Sequence, residues 1–438
     1  MSRRSVRLRG LAVVVLLVAV SACSSSTSVS RPAAAFPTGQ VSITFWNDSE
    51  KPMNDLFTNT LIPGYRRMHP NVTIDYQVYN TSDVITKVLT AIASHTAPAV
   101  IDVPGTLLPV LYQDRVLAPA QDQYFPNLGV SGIVNGYFPH SLDAQQNQGH
   151  LYGLPYQENA WSLYENVSEW KAAGLDPVKD APKTWDDVAR LNPLLTKTDG
   201  SGRITQKGFS ARMTAGDHFI EWWFENMIDE VGGRMFDVSG RPVWNDSHGI
   251  RVMQIWKQAQ AMAPTVTRND PSDPYQDFFN GQDAMAFGGP NAGAVGELRN
   301  PAMKGNWVAT PLPQVDPAHP ATMQYSFDFV VSKDATPDQQ FVAWNFIQYA
   351  LGTPVDWFKT TRLLQPLKAL SQSSEAQQIP GMPVFLHDLS IARPLASSLH
   401  VAELQAAIAR AVQRIVLNGA DIKASLDQSV QDYVQAAG

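Results

Sequence analysis

The feature that most constrains the fold is an alternation of strand and helix patterns between residues 41 and 103. Residues 41–46 and Val72–Tyr79 alternate apolar and polar side chains, as half-buried strands do. Apolar residues recur at helical spacing between these strands and again over residues 82–95, and a third apolar strand follows at residues 99–103. This order is typical of a parallel sheet covered by helices, so the sequence predicts an α/β fold.

Ligands of such sheets bind beyond the carboxyl ends of the strands. Trp46, Asn47 and Asp48 end the first strand, and Asp102 lies near the end of the third. We therefore expect these four residues beside a ligand cleft.

The first residues carry a targeting signal. Four arginines precede an apolar run over residues 11–20, and small residues then lead to Cys23. The segment resembles a bacterial lipoprotein signal peptide, which implies removal of residues 1–22 and lipidation of Cys23. The alternative is a transmembrane anchor, for which the run is short, since a spanning helix needs about 20 apolar residues. Because residues 2–4 also resemble a twin-arginine signal, the export route stays open.

Cysteine usage and charge exclude several kinds of function. Cys23 is the only cysteine, so the chain has no internal disulfide and no cysteine-based zinc site. Removing four arginines changes the formal charge from −7 to −7 − 4 = −11, which disfavours nucleic acid as a partner. Residues 23–40, rich in Ser, Pro and Ala, are expected to form a flexible tether. We predict no cofactor, no metal site and no catalytic residue.

A short stretch at residues 152–166 combines flat apolar faces with hydrogen-bonding groups. Tyr156, Glu158 and Asn159 lie in it, together with Gln157 and further aromatic residues. A sugar needs an aromatic face for its C–H surface and polar groups for its hydroxyls, so this mixture suits a polyhydroxylated ligand at a junction between two lobes. The alternative is a buried strand whose aromatic residues are simply core.

Eight motifs in order extend this interpretation to most of the chain. They are residues 43–46, 98–102, 149–155 with 162–166, 173–175 with 182–187, 232–233, 279–290, 311–313 and 340–347. Over residues 40–370 the chain is similar to the extracellular sugar-binding proteins of ABC transporters, of the maltose- and glycerol-phosphate-binding type. The resemblance implies two lobes, each a mostly parallel sheet flanked by helices, joined by a multi-strand hinge.

The resemblance also implies domain boundaries and partners. Lobe 1 is expected to comprise residues 40–157 and 327–370, and lobe 2 residues 158–326 and 371–438. A monomer anchored at the extracytoplasmic face of the membrane would deliver a carbohydrate to the permease subunits of the transporter.

Further site residues follow from the resemblance. It implies an aromatic sugar platform from Trp222 or Trp223 with Glu221 nearby, and cleft-facing Tyr325 and Ser326 at a second crossing between the lobes. Gly288, Gly289 and Asn291 form a glycine-rich turn before a helix, where backbone amides can meet a ligand. Arg393 is a further candidate contact. The alternatives are that both tryptophans pack in the core and that the glycines form an ordinary tight turn.

Two other function classes stay open. A secreted glycoside hydrolase needs only two carboxylates, and Glu158 and Glu221 facing each other across a cleft would imitate one. A serine hydrolase is disfavoured because the string at residues 208–212 lacks the second glycine of a nucleophile elbow. A scaffold lipoprotein is the third class. The ligand could be a neutral sugar, an amino sugar, or a phosphorylated polyol held by glycine amides and Arg393.

Overall fold

The computed structural model describes residues 35–79, 81–126, 128–209, 217–262, 274–396 and 398–438. The predicted signal peptide, Cys23 and most of the tether lie outside these residues. Within the described ranges, no helix has both the length and the apolar character that crossing a bilayer requires.

Thirteen strands are found in the described ranges. They are β1 (Val41–Asp48), β2 (Val72–Tyr79), β3 (Val100–Pro104), β4 (Gln146–Asn147), β5 (His150–Leu151), β6 (Gly153–Ala160), β7 (Ser162–Asn166), β8 (Lys197–Thr198), β9 (Ile204–Phe209), β10 (Asp283–Gly288), β11 (Trp307–Thr310), β12 (Thr322–Val331) and β13 (Ala392–Pro394). The three strands expected between residues 41 and 103 are present, with small changes at their ends.

The same ranges contain seventeen α-helices. They are α1 (Lys51–Leu56), α2 (Ile62–Met68), α3 (Thr81–Ala93), α4 (Leu108–Gln113), α5 (Gly129–Gly136), α6 (Val167–Ala172), α7 (Trp185–Leu195), α8 (Asp217–Glu230), α9 (Ser247–Met262), α10 (Pro274–Phe279), α11 (Ala292–Arg299), α12 (Pro337–Leu351), α13 (Pro354–Thr361), α14 (Lys368–Ser371), α15 (Met382–Ser390), α16 (Val401–Asn418) and α17 (Ile422–Ala437).

The first sheet has six strands and is mostly parallel, as expected. Its order is β13-β12-β3-β1-β2, and β6 pairs with the other edge of β12. β1 pairs in parallel with both β2 and β3, whereas β12 runs antiparallel to β3 and to β6. All five residues of β3 are buried, as a central strand with covered faces requires.

The second sheet differs from the mostly parallel arrangement that we expected. Its order is β11-β7-β10-β9-β8, and only the β10–β9 pair is parallel. β7 follows β6 of the first sheet directly in sequence and runs antiparallel to β10. β11 pairs antiparallel with the other edge of β7. The α/β class with two helix-covered sheets is confirmed.

Local signals in the sequence set several helix ends. Thr184 accepts a hydrogen bond from the Asp187 amide, and the Asp187 carboxylate accepts from the Thr184 amide, forming a capping box at the start of α7. At the other end of the chain, Gly419 adopts a left-handed conformation with φ of 69° and ends α16. This glycine therefore separates α16 from α17.

Two chain segments connect the sheets. β6 of the first sheet leads directly into β7 of the second, and β11 of the second sheet is followed by β12 of the first. The Glu158 amide also donates to the Leu364 carbonyl at 2.8 Å. The lobe boundaries given above stay a prediction.

Trp223 belongs to the core beside the second sheet rather than to a ligand platform. Its ring stacks on Phe287 with centroids 4.3 Å apart and meets Trp185 edge-on at 4.7 Å. The side chain is 2% exposed. Adjacent residues of a helix point about 100° apart, and of Trp222 and Trp223 it is Trp223 that points toward the sheet.

We expect Trp223→Ala to lower the free energy of unfolding by about 3–5 kcal/mol, the usual cost of truncating a buried tryptophan. Urea unfolding of the purified variant measures the loss. The matched control is Trp307→Ala, because Trp307 is only partly buried. An equal loss in both variants would contradict the core assignment of Trp223.

Candidate functional site

The site is organised by the pairing of β6 with β12. Tyr325 lies opposite Asn159 in this ladder, and Ser326 lies opposite Glu158. Neighbouring strand residues point to opposite faces, so the ladder has two chemically different sides. We call the side of Asn159 and Tyr325 the front face and the side of Glu158 and Ser326 the back face.

Aromatic and amide groups meet on the front face. The Trp222 ring stacks on Tyr325 with centroids 5.2 Å apart and planes at 27°. Asn159 Nδ2 donates to Gln157 Oε1 at 2.8 Å and lies 3.5 Å from the Tyr325 hydroxyl. Trp222 Nε1 and Asn159 Oδ1 are buried and have no hydrogen-bond partner among the described residues. A ligand with both hydroxyl donors and acceptors would satisfy them.

The carboxyl ends of β1 and β3 add a polar group to the same face. The Asp48 amide and the Tyr156 hydroxyl both donate to Asp102 Oδ2, at 3.1 and 3.0 Å. Asn47 Nδ2 donates to the Tyr76 hydroxyl at 2.6 Å. Asn47 Oδ1 and Asp102 Oδ1 have no hydrogen-bond partner within the described ranges. Burial, followed by the Asp48 charge, raises the pKa of Asp102 well above its ordinary value.

The turn after β10 approaches this group from the second sheet. The Gly289 carbonyl accepts from the Tyr164 hydroxyl at 2.8 Å. A Cβ atom at Gly289 would lie 2.3 Å from the Tyr325 hydroxyl, so only glycine fits there. Asn291, next to Gly288 and Gly289 in sequence, donates from Nδ2 to Glu50 Oε1 at 3.2 Å. Glu50 follows β1 and Asn291 follows β10, so this bond links a turn of the first sheet to a turn of the second.

A buried carboxyl pair lies one turn apart on α8, beside Trp222. The two carboxyl groups lie close enough for each to shift the pKa of the other, and Glu225 Oε1 accepts from the Ala396 amide. Burial raises the pKa of both carboxyls, and the Glu221 charge raises that of Glu225 further. One proton held between two carboxyls is the arrangement that such shifts favour.

Glu221 lies in the carboxyl pair with Glu225. Ten predicted residues gather near the front face: Asn47, Asp48, Asp102, Tyr156, Asn159, Trp222, Gly288, Gly289, Asn291 and Tyr325. We call this set the front cluster. Their role as ligand contacts stays a prediction.

The structure places five predicted residues elsewhere. Trp46 packs on Tyr79 with ring centroids 5.0 Å apart, on the other side of β1 from Asn47. Trp223 is core, as described above. Glu158 and Ser326 point to the back face because they alternate with Asn159 and Tyr325. Arg393 lies 3.9 Å from Asp229 on α8, about two helical turns beyond Trp222.

The sequence interpretation missed Glu50 and Glu225. Glu50 follows the turn-prone residues 47–49, so its position after a strand could have identified it. Glu225 could have been found only as the i+4 partner of Glu221 on a helix. Within the described ranges, no group of His, Cys, Asp and Glu side chains is suited to hold a metal ion.

Comparison with known proteins gives one family. Residues 27–356 match the model of the bacterial extracellular solute-binding protein family. An uncharacterized ABC transporter extracellular-binding protein of Pyrococcus horikoshii is 25% identical over 281 residues, covering 60% of this chain and 59% of that protein. The sn-glycerol-3-phosphate-binding periplasmic protein UgpB of Pectobacterium atrosepticum is 22% identical over 277 residues, which is 59% of this chain and 57% of UgpB. The chain thus spans about three fifths of the length of these curated relatives.

Solved structures share the fold. A solute-binding protein of Thermotoga lettingae bound with α-D-tagatose superposes with a TM-score of 0.78 at 17% identity, covering 91% of this chain and all of that one (100%). The GacH receptor of Streptomyces glaucescens, solved unliganded and with acarbose, gives a TM-score of 0.77 at 16% identity over 90% of this chain and 97% of the receptor. These likenesses support the two-lobe architecture.

The carboxyl pair on α8 predicts a pH-dependent stability. A carboxyl whose folded pKa is raised stabilises the fold below its unfolded pKa, near 4.3, and that stability is lost as pH rises through the folded value, about 7 for Glu221. Glu225→Gln retains an oxygen to accept from the Ala396 amide and removes one charge. We expect the variant to be more stable than the wild type at pH 8 and indistinguishable from it at pH 5, by urea unfolding.

Glu403→Gln serves as the control, because Glu403 is a glutamate in the first turn of α16. If Glu225→Gln and Glu403→Gln change stability equally at both pH values, the shared-proton arrangement is wrong.

Proposed function

Because the chain belongs to the bacterial extracellular solute-binding protein family, we propose that it is the substrate-binding protein of an ABC importer. In this proposal it captures a carbohydrate at the front cluster and delivers it to the permease subunits. The nucleotide-hydrolysing subunits of the transporter supply the energy.

The observation that carries the proposal is the stacked Trp222–Tyr325 pair beside the amides of Asn159 and Gln157. Aromatic faces contact the C–H surface of a sugar ring, and planar amides bind its hydroxyls. Trp222 Nε1 and Asn159 Oδ1, which have no hydrogen-bond partner among the residues that the structure describes, supply a donor and an acceptor. Such a mixture of donors and acceptors fits a neutral polyol better than an anion.

The charges of the front cluster favour a neutral or amino sugar over a phosphorylated one. Asp48, Asp102 and Glu50 contribute carboxyl groups at the strand ends. Phosphate recognition calls for arginine or lysine, and Arg393, the cation considered for this role, lies beside Asp229 instead. The relatives named for sn-glycerol-3-phosphate therefore differ from this chain in their proposed ligand, whereas mannotriose, bound in a structural neighbour at 21% identity, is a sugar of the proposed kind.

Binding is proposed to close the two lobes. β6, β12 and the segment at Leu364 cross between them, so changes of backbone angle there move one lobe against the other. The Asn291–Glu50 hydrogen bond forms only when the lobes meet, and a ligand that contacts both lobes stabilises that state. Closure would present a joined surface to the permease.

Attachment to the membrane is proposed to occur through Cys23. The signal-peptide pattern and the absence of other cysteines support a lipid anchor at the extracytoplasmic face, with the tether separating it from the folded lobes. The protein is proposed to act as a monomer.

A glycoside hydrolase is the alternative, and the geometry disfavours it. The two carboxylates must flank one scissile bond. Glu158 points to the back face. Glu221 lies on α8 next to Trp222, whose ring stacks on Tyr325 of the front face. The pair considered from the sequence therefore does not face one cleft, and we propose that the protein is not an enzyme.

Intrinsic fluorescence titration with tagatose, maltose, mannotriose, glucosamine and sn-glycerol-3-phosphate tests the function. We expect saturable changes with at least one neutral or amino sugar, because Trp222 lies at the proposed site. Trp222→Ala should weaken that binding by more than about tenfold, since stacking and an indole donor are both lost. A scaffold would respond to none of the sugars, and preferred binding of the phosphate would overturn the ligand class.

Incubation with oligosaccharides tests the alternative. We expect no new reducing ends after prolonged incubation of maltose oligomers and mannotriose with the protein. Sustained turnover that Glu158→Gln or Glu221→Gln abolishes would contradict the transport proposal.

A further inference from the structure

A cavity of about 760 Å³ lies against the back face of the β6–β12 ladder. Its floor includes Glu158 and Ser326. One wall is formed by Gly105, Thr106 and residues 138–145, and the other by α15 and β13. We call it the back pocket. Its volume lies within the range of sites that enclose a small organic molecule. Tyr325 of the ladder also lines it, whereas the other members of the front cluster do not.

Two buried acceptors line the back pocket without partners. Glu158 is 4% exposed and Gln145 is 1% exposed, and neither Glu158 Oε2 nor Gln145 Oε1 has a hydrogen-bond partner among the described residues. Gln145 Nε2 donates to Asp328 Oδ1 at 2.8 Å and to Ser326 Oγ at 3.3 Å, which fixes the orientation of the amide. Leaving two such acceptors unsatisfied is costly, so the pocket calls for a ligand with hydrogen-bond donors.

Because acidic side chains line the back pocket, a positively charged hydrogen-bond donor is favoured over a neutral one. Glu158 and Asp143 line it and Asp328 lies beneath Gln145, whereas the lining contains no lysine or arginine in the described part of the chain. The titratable side chains of His140 and Tyr325 also line it, and His140 is already hydrogen-bonded to Asp143 at 3.0 Å. Burial raises the pKa of Asp328 to about 7 and that of Glu158 well above its ordinary range, so an ammonium group would stabilise their ionised forms.

The remaining lining is apolar. Phe138, Leu386, Leu389, Pro394 and Leu395 surround the polar floor. An aliphatic or alicyclic body of a ligand would be buried against them.

We propose that the back pocket is a second ligand site, which binds a small organic ammonium ion with a compact apolar body. The ammonium group contacts Glu158 Oε2 and Gln145 Oε1, and the body lies against α15 and β13.

The position of the pocket makes its ligand a regulator of the front cleft. With the lobe boundaries predicted from the sequence, the two walls belong to different lobes and the proposed hinge ladder lies between them. Opening the front cleft moves the back walls toward each other, so a molecule between them opposes opening and favours the closed state. This coupling rests on the proposed sugar-binding function, whereas binding of the amine itself does not.

Calorimetric titration with cyclohexylammonium chloride tests the site, with cyclohexanol and cyclohexanecarboxylate as matched probes of the same ring. We expect saturable binding of the ammonium ion, at least tenfold weaker binding of the alcohol and none of the carboxylate. Glu158→Gln should weaken ammonium binding more than tenfold without altering the shape of the pocket. Equal affinity for all three probes, or an unchanged affinity in Glu158→Gln, would overturn the proposal.

Two variants locate the binding. Ala144→Trp places an indole at the exposed rim of the back pocket and should abolish ammonium binding. Trp222→Ala, on the front face, should leave it within twofold of the wild type. Circular dichroism confirms that both variants are folded, and the reverse pattern would place the amine at the front cluster and refute the back site.

Reciprocity tests the coupling. Saturating cyclohexylammonium should tighten sugar binding, and saturating sugar should tighten ammonium binding by the same factor, since coupling between two sites is mutual. Ammonium binding without any effect on a sugar that does bind would refute the coupling alone. Absence of sugar binding with ammonium binding intact would refute the transport function and leave the back site standing.

Discussion

The pairing of β6 with β12 is the interaction on which the architecture depends. These strands pair within the first sheet and carry residues of the front cluster on one side and of the back pocket on the other, because side chains alternate across a strand. Tyr325 and Asn159 point to the front, and Ser326 and Glu158, one residue along, point to the back. The register of the β6–β12 pair therefore determines which residues are available for the proposed sugar contacts and which line the back pocket.

Acidic side chains are buried on both sides of this ladder, and two of them lack a full set of hydrogen bonds from the described residues. We infer that ligands complete these hydrogen bonds. Asp102, Glu158 and Asp328 are buried and have raised pKa values, and Asp102 and Glu158 each keep one unpartnered oxygen within the described ranges. Burying an unsatisfied polar atom costs stability. In our account these costs are offset when a carbohydrate binds at the front and an ammonium ion at the back.

Sequence patterns predicted the features of the fold that depend on interactions between residues close in sequence. The strand–helix alternation predicted the first sheet, and the rule for parallel strands brought Asn47, Asp48 and Asp102 together. The distinctions that failed depend on distant contacts. Trp222 and Trp223 are both buried, at 5% and 2% exposure, and they differ in their ring contacts, which are Tyr325 for Trp222 and Phe287 with Trp185 for Trp223. The irregular register between Phe327 and Asp328 is invisible before the strands are paired, and Arg393 meets Asp229 only in the folded chain.

The most direct test of the central claim, that the ladder is a hinge between lobes that close around a carbohydrate, is small-angle X-ray scattering with and without a saturating sugar. The account predicts a smaller radius of gyration in the presence of a sugar that binds, because the lobes meet through contacts such as that of Glu50 with Asn291. A sugar that saturates the protein and leaves the scattering curve unchanged would contradict it.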